Sequence, residues 1–331
     1  MRRVGFPNRQ RGAAILTAMI TVVLVATLAS AMLWQQWRGV EVETAQRSRV
    51  QAAWILVGAL DWARLILRED ARQGGADHLA EPWAVPLAPA RLSTFLAAER
   101  GEALVTDDTD ASQAAFLSGQ MEDLQARLNV TNLIDNGKLH EPSLAAWRRL
   151  FEHLNLPEPE LQAVTQALLR ARGASTESPA ATSASTRQPL QPLATSDLLW
   201  LGLSERSLLA LMPFVTVLPV RTPVNLNTAA PEVLLASVPG LDMATAQSFV
   251  LARTRHHMET LSDADTLLDK PELRFDAEAH GVASRFFQVT GRLRLGEVSV
   301  QEMSLLQRDG MEVKTLSRTR QRLVSPGPTL Q

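Results

Sequence analysis

Three groups of residues have types and spacings that chemistry could use. His256-His257 is an adjacent imidazole pair, suited in type to proton transfer or metal ligation. Asp263, Asp265, Asp269, Glu272 and Asp276 crowd carboxylates into one short stretch, the oxygen chemistry that a hard cation such as calcium needs. Gly240-Leu241-Asp242, directly after Pro239, has the outline of a turn whose backbone N–H groups could face a phosphate. Each group falls short. Neighbouring histidines point to different sides of a helix, and surface solvation is the default role of the five acids. Asp242 stands where a phosphate-binding turn needs a second glycine, and its carboxylate repels an anion. The chain has no His-Glu-x-x-His, Gly-x-Ser-x-Gly or phosphate-loop pattern, and no cysteine to serve as nucleophile, thiolate ligand or disulfide. The sequence therefore predicts no catalytic residue and no metal site.

The elements around these groups tell more. The 331 residues, 46% of them hydrophobic, suffice for two compact units and an anchor. A formal net charge of −2 supplies no overall positive field for a nucleic-acid backbone. Ala13 to Trp34 is an uncharged run, 22 residues by its numbering. As a helix rising about 1.5 Å per residue, it would match a bilayer's hydrocarbon core. Arg2, Arg3, Arg9 and Arg11 precede it with no acid among them, which predicts a cytoplasmic N-terminus and an exported remainder. A cleaved secretory signal is the alternative, but its apolar region is usually about 7–15 residues. From Gln35 to about Arg72 no proline intervenes, and Ala53, Val57, Leu60, Ala63 and Leu67 recur at helical spacing beside a polar stripe of Asp61, Arg64 and Arg68. One helix of about 60 residues is predicted, stopped by Gly74-Gly75, with Trp54 and Trp62 as packing residues.

Strands are predicted over 83–87, 102–106 and 124–134, with a turn at Asp135-Asn136-Gly137. Helical segments follow. Ser143 is expected to cap a helix through His153, and Pro159 to Arg172 forms a second, closed by Gly173. Residues 174–195, rich in Ser, Thr, Ala, Pro and Gln, read as a flexible loop. Asn225, Asn227 and Thr228 end an extended run and are expected to cap the next helix, with Pro231 in its first turn. Asp242 should cap a further helix to about His256. Three strands over 284–295, 297–307 and 311–323 complete the sheet; Lys314, Arg318, Arg320 and Arg322 form a solvated edge, and 325–331 is a tail.

Two motifs carry a family resemblance. Arg9-Gln10-Arg11-Gly12 before the apolar run resembles the leader cut by prepilin peptidase in type IV pilins and pseudopilins, which implies cleavage between Gly12 and Ala13; an ordinary signal anchor is the plainer reading. Those families usually carry glutamate at the fifth mature position, where this chain has Thr17. That omission resembles the general secretion pathway protein K family of minor pseudopilins. Pro223-Val224-Asn225-Leu226-Asn227-Thr228-Ala229 is similar to the same family's Val-Asn-Val-Asn-Thr-Ala motif.

The resemblance implies an α+β fold. A long N-terminal transmembrane and amphipathic helix packs on a pilin-like antiparallel sheet, and a large helical domain of helix-hairpin-helix or SAM-like type is inserted between strands. The implied division is leader 1–12, membrane helix 13–34, periplasmic helix 35–75, sheet 76–140 and 282–324, and insert 141–281. The implied function is a non-enzymatic minor pseudopilin of the type II secretion system at the pseudopilus tip. Its partners would be other minor pseudopilins, the major pseudopilin, prepilin peptidase, the inner membrane and secreted substrates, with no nucleic acid. No cofactor is implied. Calcium is the one metal the resemblance leaves open, yet Leu169-Arg170-Ala171-Arg172-Gly173 lies where the family's acids are expected. The alternative is a membrane-anchored helix-hairpin-helix DNA receptor, which Asp242 opposes.

Overall fold

A computed structural model describes residues 11–93, 115–173, 189–268, 270, 273–295 and 298–323. The leader's residues 1–10, the strand expected over 102–106, most of the 174–195 loop, Asp269, Glu272 and the 325–331 tail lie outside them.

Helix α1, Arg11–Gln73, is continuous. It is the one helix among the described residues long and apolar enough to cross a membrane. Its first half buries nothing within the chain, and Ile15, Leu16, Val22, Leu28 and Leu33 are all exposed. Its second half buries Ala52, Leu56, Leu60, Ala63 and Leu67. The buried seam thus differs from the expected one at its start, where Ala53 and Val57 are only half-buried. Both stripes satisfy helical spacing, and packing selects between them. Trp54 is not a packing residue of this chain: it is 71% exposed. The helix stops at two glycines with positive φ, Gly74 and Gly75.

The sheet comprises β1 (Leu87–Arg91), β2 (Ala115–Asp123), β3 (Phe286–Leu295), β4 (Val298–Asp309) and β5 (Glu312–Leu323). These strands lie in spatial order one to five, each antiparallel to the next. Alternation sets one face against α1, through Phe287, Val289 and Leu293 of β3 and Val300 and Leu306 of β4. At Gly291 a Cβ would meet Leu56 Cδ2 at 3.1 Å, so glycine there lets the helix lie close. Trp83 closes the far end edge-on to Phe287, with ring centres 5.1 Å apart. It belongs to a 3-10 turn, Pro82–Ala84, and not to the strand expected over 83–87. Glu302, 3% exposed, also faces α1. Arg320 donates to it at 2.5 and 3.0 Å and Arg318 Nε lies 3.2 Å away, so these arginines neutralise a buried acid and are more than a solvated edge.

Between β2 and β3 the chain leaves the sheet for a helical unit. It contains α2 (Glu141–His153), α3 (Glu158–Gly173), α4 (Glu205–Leu211), α5 (Pro231–Ser237), α6 (Met243–Arg253) and α7 (Leu261–Leu268). Its core gathers Trp147, Leu150, Leu161, Leu198, Leu211 and Val233. Leu128, Val130, Leu133 and Ile134 join the same core. Residues 124–134, expected as a sheet strand, instead alternate 3-10 turns with two-residue bridges. Their β-favouring side chains are apolar plugs on an irregular backbone. His140, not Ser143, caps α2, its Nδ1 accepting the Ser143 N–H.

Candidate functional site

The membrane end comes first. Gly12 and Ala13 occupy the first turn of α1. The Thr17 hydroxyl donates to the carbonyl of Ala13, one turn back, and Thr21 does the same to Thr17 at 3.0 Å. Thr17 therefore brings no charge and no unsatisfied donor into the apolar segment.

The second site is where the helical unit joins the sheet, and the asparagine motif builds it. Asn225, fully buried, donates through Nδ2 to Asp123 Oδ2 at 3.0 Å, Ser284 Oγ at 2.9 Å and the Asp77 carbonyl at 3.1 Å. Its Oδ1 accepts the Asn227 N–H at 2.9 Å. Thr228 donates to Asp123 Oδ2 at 2.5 Å, Ser284 Oγ at 2.6 Å, and the Gln125 N–H reaches Oδ1 at 2.7 Å. Asp123 ends β2, so four donors converge on a buried carboxylate at the exit of the sheet. Burial pushes its pKa up, and the bonds from Ser284, Thr228 and Gln125 oppose this. Asn227 closes a two-bond pair with the backbone of Met258, at 2.9 Å each way.

Asn225, Asn227 and Thr228 are thus clamps, and the expectation that they cap the next helix is corrected: α5 starts from Ala230 without a side-chain cap, with Pro231 first. Their polar groups serve long-range partners that spacing along the chain cannot reveal. Asp242 does cap α6, Oδ1 accepting the Thr245 N–H at 2.8 Å, and the helix ends at Arg253, short of His256. Gly240 has φ +80°, so Pro239-Gly240 makes the turn between α5 and α6. The Asp242 carboxylate also takes Lys270 Nζ at 3.3 Å. The helix N-terminus a phosphate would need is filled by the chain's own anion.

Next to this clamp lies a cluster that sequence reasoning missed. Asp70, at the end of α1, and Asp77 and Glu81, just beyond it, bring carboxylate oxygens within 4.8 Å of one another. Arg308 of β4 enters this group, donating to both oxygens of Asp77 at 2.5 and 2.6 Å, to Asp70, and to the Ser284 carbonyl at 2.7 Å. Burial pushes the Asp77 carboxyl up while Arg308 opposes it. Burial pulls Arg308 down, and Asp77 and Asp70 outweigh it. A guanidinium already supplies the positive charge, so the cluster does not fit calcium, which needs roughly 6–8 oxygen ligands. The end of α3 fits calcium no better: Arg170 and Arg172 spend N–H groups on the carbonyls of Gln166 and Ile134.

The other singled-out residues have local duties. Asp263 accepts the N–H groups of Glu259 and Thr260, Asp265 that of Phe275, and Asp276 that of Glu278. These acids cap turns instead of merely meeting solvent. His257 stacks on His78 with ring centres 3.7 Å apart and contacts Glu259 at 2.8 Å.

An exposed apolar rod packed on an antiparallel sheet, with a helical unit clamped to that sheet, is the architecture of an assembly subunit. Models for protein K of the type II secretion system match residues 126–220 and 224–283. Type II secretion system protein K of Pseudomonas aeruginosa is 28% identical over 329 residues, covering 93% of this chain and 92% of the relative. That of Klebsiella pneumoniae is 26% identical over 336 residues, covering 94% and 96%. A chain in the crystal structure of the GspK-GspI-GspJ complex from enterotoxigenic Escherichia coli superimposes with a TM-score of 0.58 at 18% identity. The superposition covers 85% of this chain and 99% of that one. These likenesses define a pseudopilin, a structural component and not an enzyme. Along nearly its whole length the chain is similar to protein K of the type II secretion system.

Proposed function

We propose that this chain is the tip subunit of a periplasmic pseudopilus. It would be anchored N-in through residues 13–34 after cleavage between Gly12 and Ala13, and joined through α1 to two smaller minor pseudopilins. The GspI and GspJ chains named with GspK in the Escherichia coli complex are the model for those partners. The carrying observation is polarity. Ala52 and Leu56 pack near Leu117, Leu293 and Val300. Asp70, further along the rod, meets Arg308 beside the clamp. The helical unit therefore joins the sheet at the end farther from the membrane segment, where it can project beyond a fibre. Thr17 supports the same reading: a carboxylate in a bilayer costs about 2.5–3.5 kcal/mol at the helix centre, and a subunit with no neighbour above has no amine to pair with it. The helical unit resembles a helix-hairpin-helix domain at α5 and α6, used here for packing. Secreted proteins are the partners such a tip would meet, and the major pseudopilin would follow below.

The test is purification from membranes with N-terminal sequencing and subunit counting. The expected result is a chain starting at Ala13, one copy per fibre, with smaller minor pseudopilins attached. A chain starting after Trp34, or many copies along the shaft, would overturn the reading.

A further inference from the structure

We propose that a cavity of about 260 Å³ in the helical unit, between the start of α2 and His280, binds an apolar carboxylate. His280 lines this cavity and is 3% exposed. Its Nε2 is the one buried side-chain nitrogen or oxygen among the described residues without a hydrogen-bond partner. The tautomer follows from its other nitrogen: the Asp276 N–H donates to Nδ1 at 3.2 Å, so the ring proton sits on Nε2 and points to a missing acceptor. Burial holds the imidazole near pKa 4, so it is neutral at ordinary pH and acts as a donor without bringing charge.

The remaining lining agrees with an acceptor ligand. Asn129 and Asn132 spend their amides on Val220 and Thr222. Asp276 already accepts the Glu278 N–H. What the cavity has to spare is donors and positive charge. Arg149 and Arg274 line it; Arg149 brings its charge while spending Nε and Nη2 on the carbonyls of Ala236 and Ser237, and Arg274 has no ion-pair partner among the described residues. Arg221 is paired with Asp135 and Glu278 at its mouth. Trp147, Pro142, Val224 and Pro239 supply apolar walls. An orphaned buried donor costs free energy that a bound acceptor would recover, and a carboxylate carried on an apolar body satisfies both the donors and the walls.

The test uses the full chain in detergent micelles, labelled with ¹⁵N at histidine, titrated with N-acetyl-leucine, hexanoate and N-acetyl-leucine amide. Either acid should shift the His280 Nε2 resonance with millimolar affinity, and the amide, of the same shape without charge, should bind at least about tenfold more weakly. Tighter binding of N-acetyl-leucine would identify a polypeptide chain end as the source, and tighter binding of hexanoate a free aliphatic acid. His280→Asn keeps an acceptor near the Nδ1 position but, being shorter, leaves no donor at the Nε2 position, and Arg274→Gln alters only an exposed rim residue. Each should weaken the acids about tenfold. Equal binding of acid and amide, no shift with either acid, or unchanged affinity in Arg274→Gln would overturn the proposal. A single chain in micelles is measured, so a negative result leaves the tip assignment standing, and failure of that assignment leaves the cavity's chemistry standing.

Discussion

Replacing Asn225 by alanine should separate the helical unit from the sheet. The amide makes one bond to a buried carboxylate, of the kind worth about 1.5–3 kcal/mol, and others to Ser284 Oγ, the Asp77 carbonyl and the Asn227 N–H worth about 1 kcal/mol together or apiece. Truncation leaves Asp123 short of a donor in a site without water access, so a loss of about 4 kcal/mol is expected. That is a large part of the roughly 5–15 kcal/mol typical of a domain. It corresponds to a fall of about 10 °C in melting temperature. Only a small cluster of Leu124, Leu218 and Phe286 bridges the junction, while the clusters beneath α1 and the one inside the helical unit stay separate, so one unfolding transition should become two. The assay is thermal unfolding of the full chain in micelles, with limited proteolysis to detect cutting near residues 124–127 and 283–285. A double-mutant cycle with Asp123→Asn should show non-additivity of about 1.5–3 kcal/mol. An Asn225→Ala protein that melts within about 1 °C of the parent, in one step and with the same cleavage pattern, would refute the clamp.

Four further outcomes follow from the same geometry. Burial raises the Glu81 carboxyl from 4.5 to about 7, so the folded chain keeps a proton that the unfolded chain has lost across that window; its contribution is whole below pH 4.5 and lost as pH rises through 7. Glu81→Gln, still accepting from His78 N–H and Trp83 Nε1, should flatten the decline in melting temperature between about pH 5 and about pH 8, and an unchanged decline would count against it. Thr17→Glu should lower membrane abundance and secretion without changing cleavage after Gly12; normal levels of both would mean an amine lies above and the subunit is not at the tip. Trp54→Ala should leave melting of the single chain nearly unchanged yet reduce co-purification with smaller pseudopilins, because Trp54 is largely exposed in this chain. Gly240→Ala should destabilise by about 1–2 kcal/mol, since φ is +80° and a Cβ would press on Leu273 Cδ2 at 3.3 Å, as chemical denaturation would show.

The parts of this fold written in local periodicity were legible in the sequence. The rod, its double-glycine stop, the hairpin of β4 and β5 and the Asp242 cap all depend on neighbours within a few residues. The strand Ala115–Asp123 was missed because Gly119, Gln120 and the acids Glu122 and Asp123 interrupt its alternation, and only pairing with β3 makes it central. The opposite error occurred at 124–134, where Leu, Val and Ile read as strand but fill the helical core through 3-10 turns. At the clamp the motif was visible and its role was not. Asn225 meets partners near positions 77, 123 and 284, and a cap and a long-range clamp look alike until the chain has folded. Arg308 gave no signal at all, falling just past the strand expected over 297–307 and standing as the one arginine of β4.

To the sheet, everything between Asp123 and Phe286 is a single connection joining neighbouring strands, for Asp123 pairs with Phe287 in the ladder. Closing such a connection costs only about 0.6 kcal/mol more for each doubling of its length. The chassis is therefore nearly indifferent to what it carries, provided the graft offers groups like Asn225, Thr228 and Ser284 to the waiting carboxylate. Heads of another size or surface could be exchanged at this one seam while the rod and strands stayed as they are.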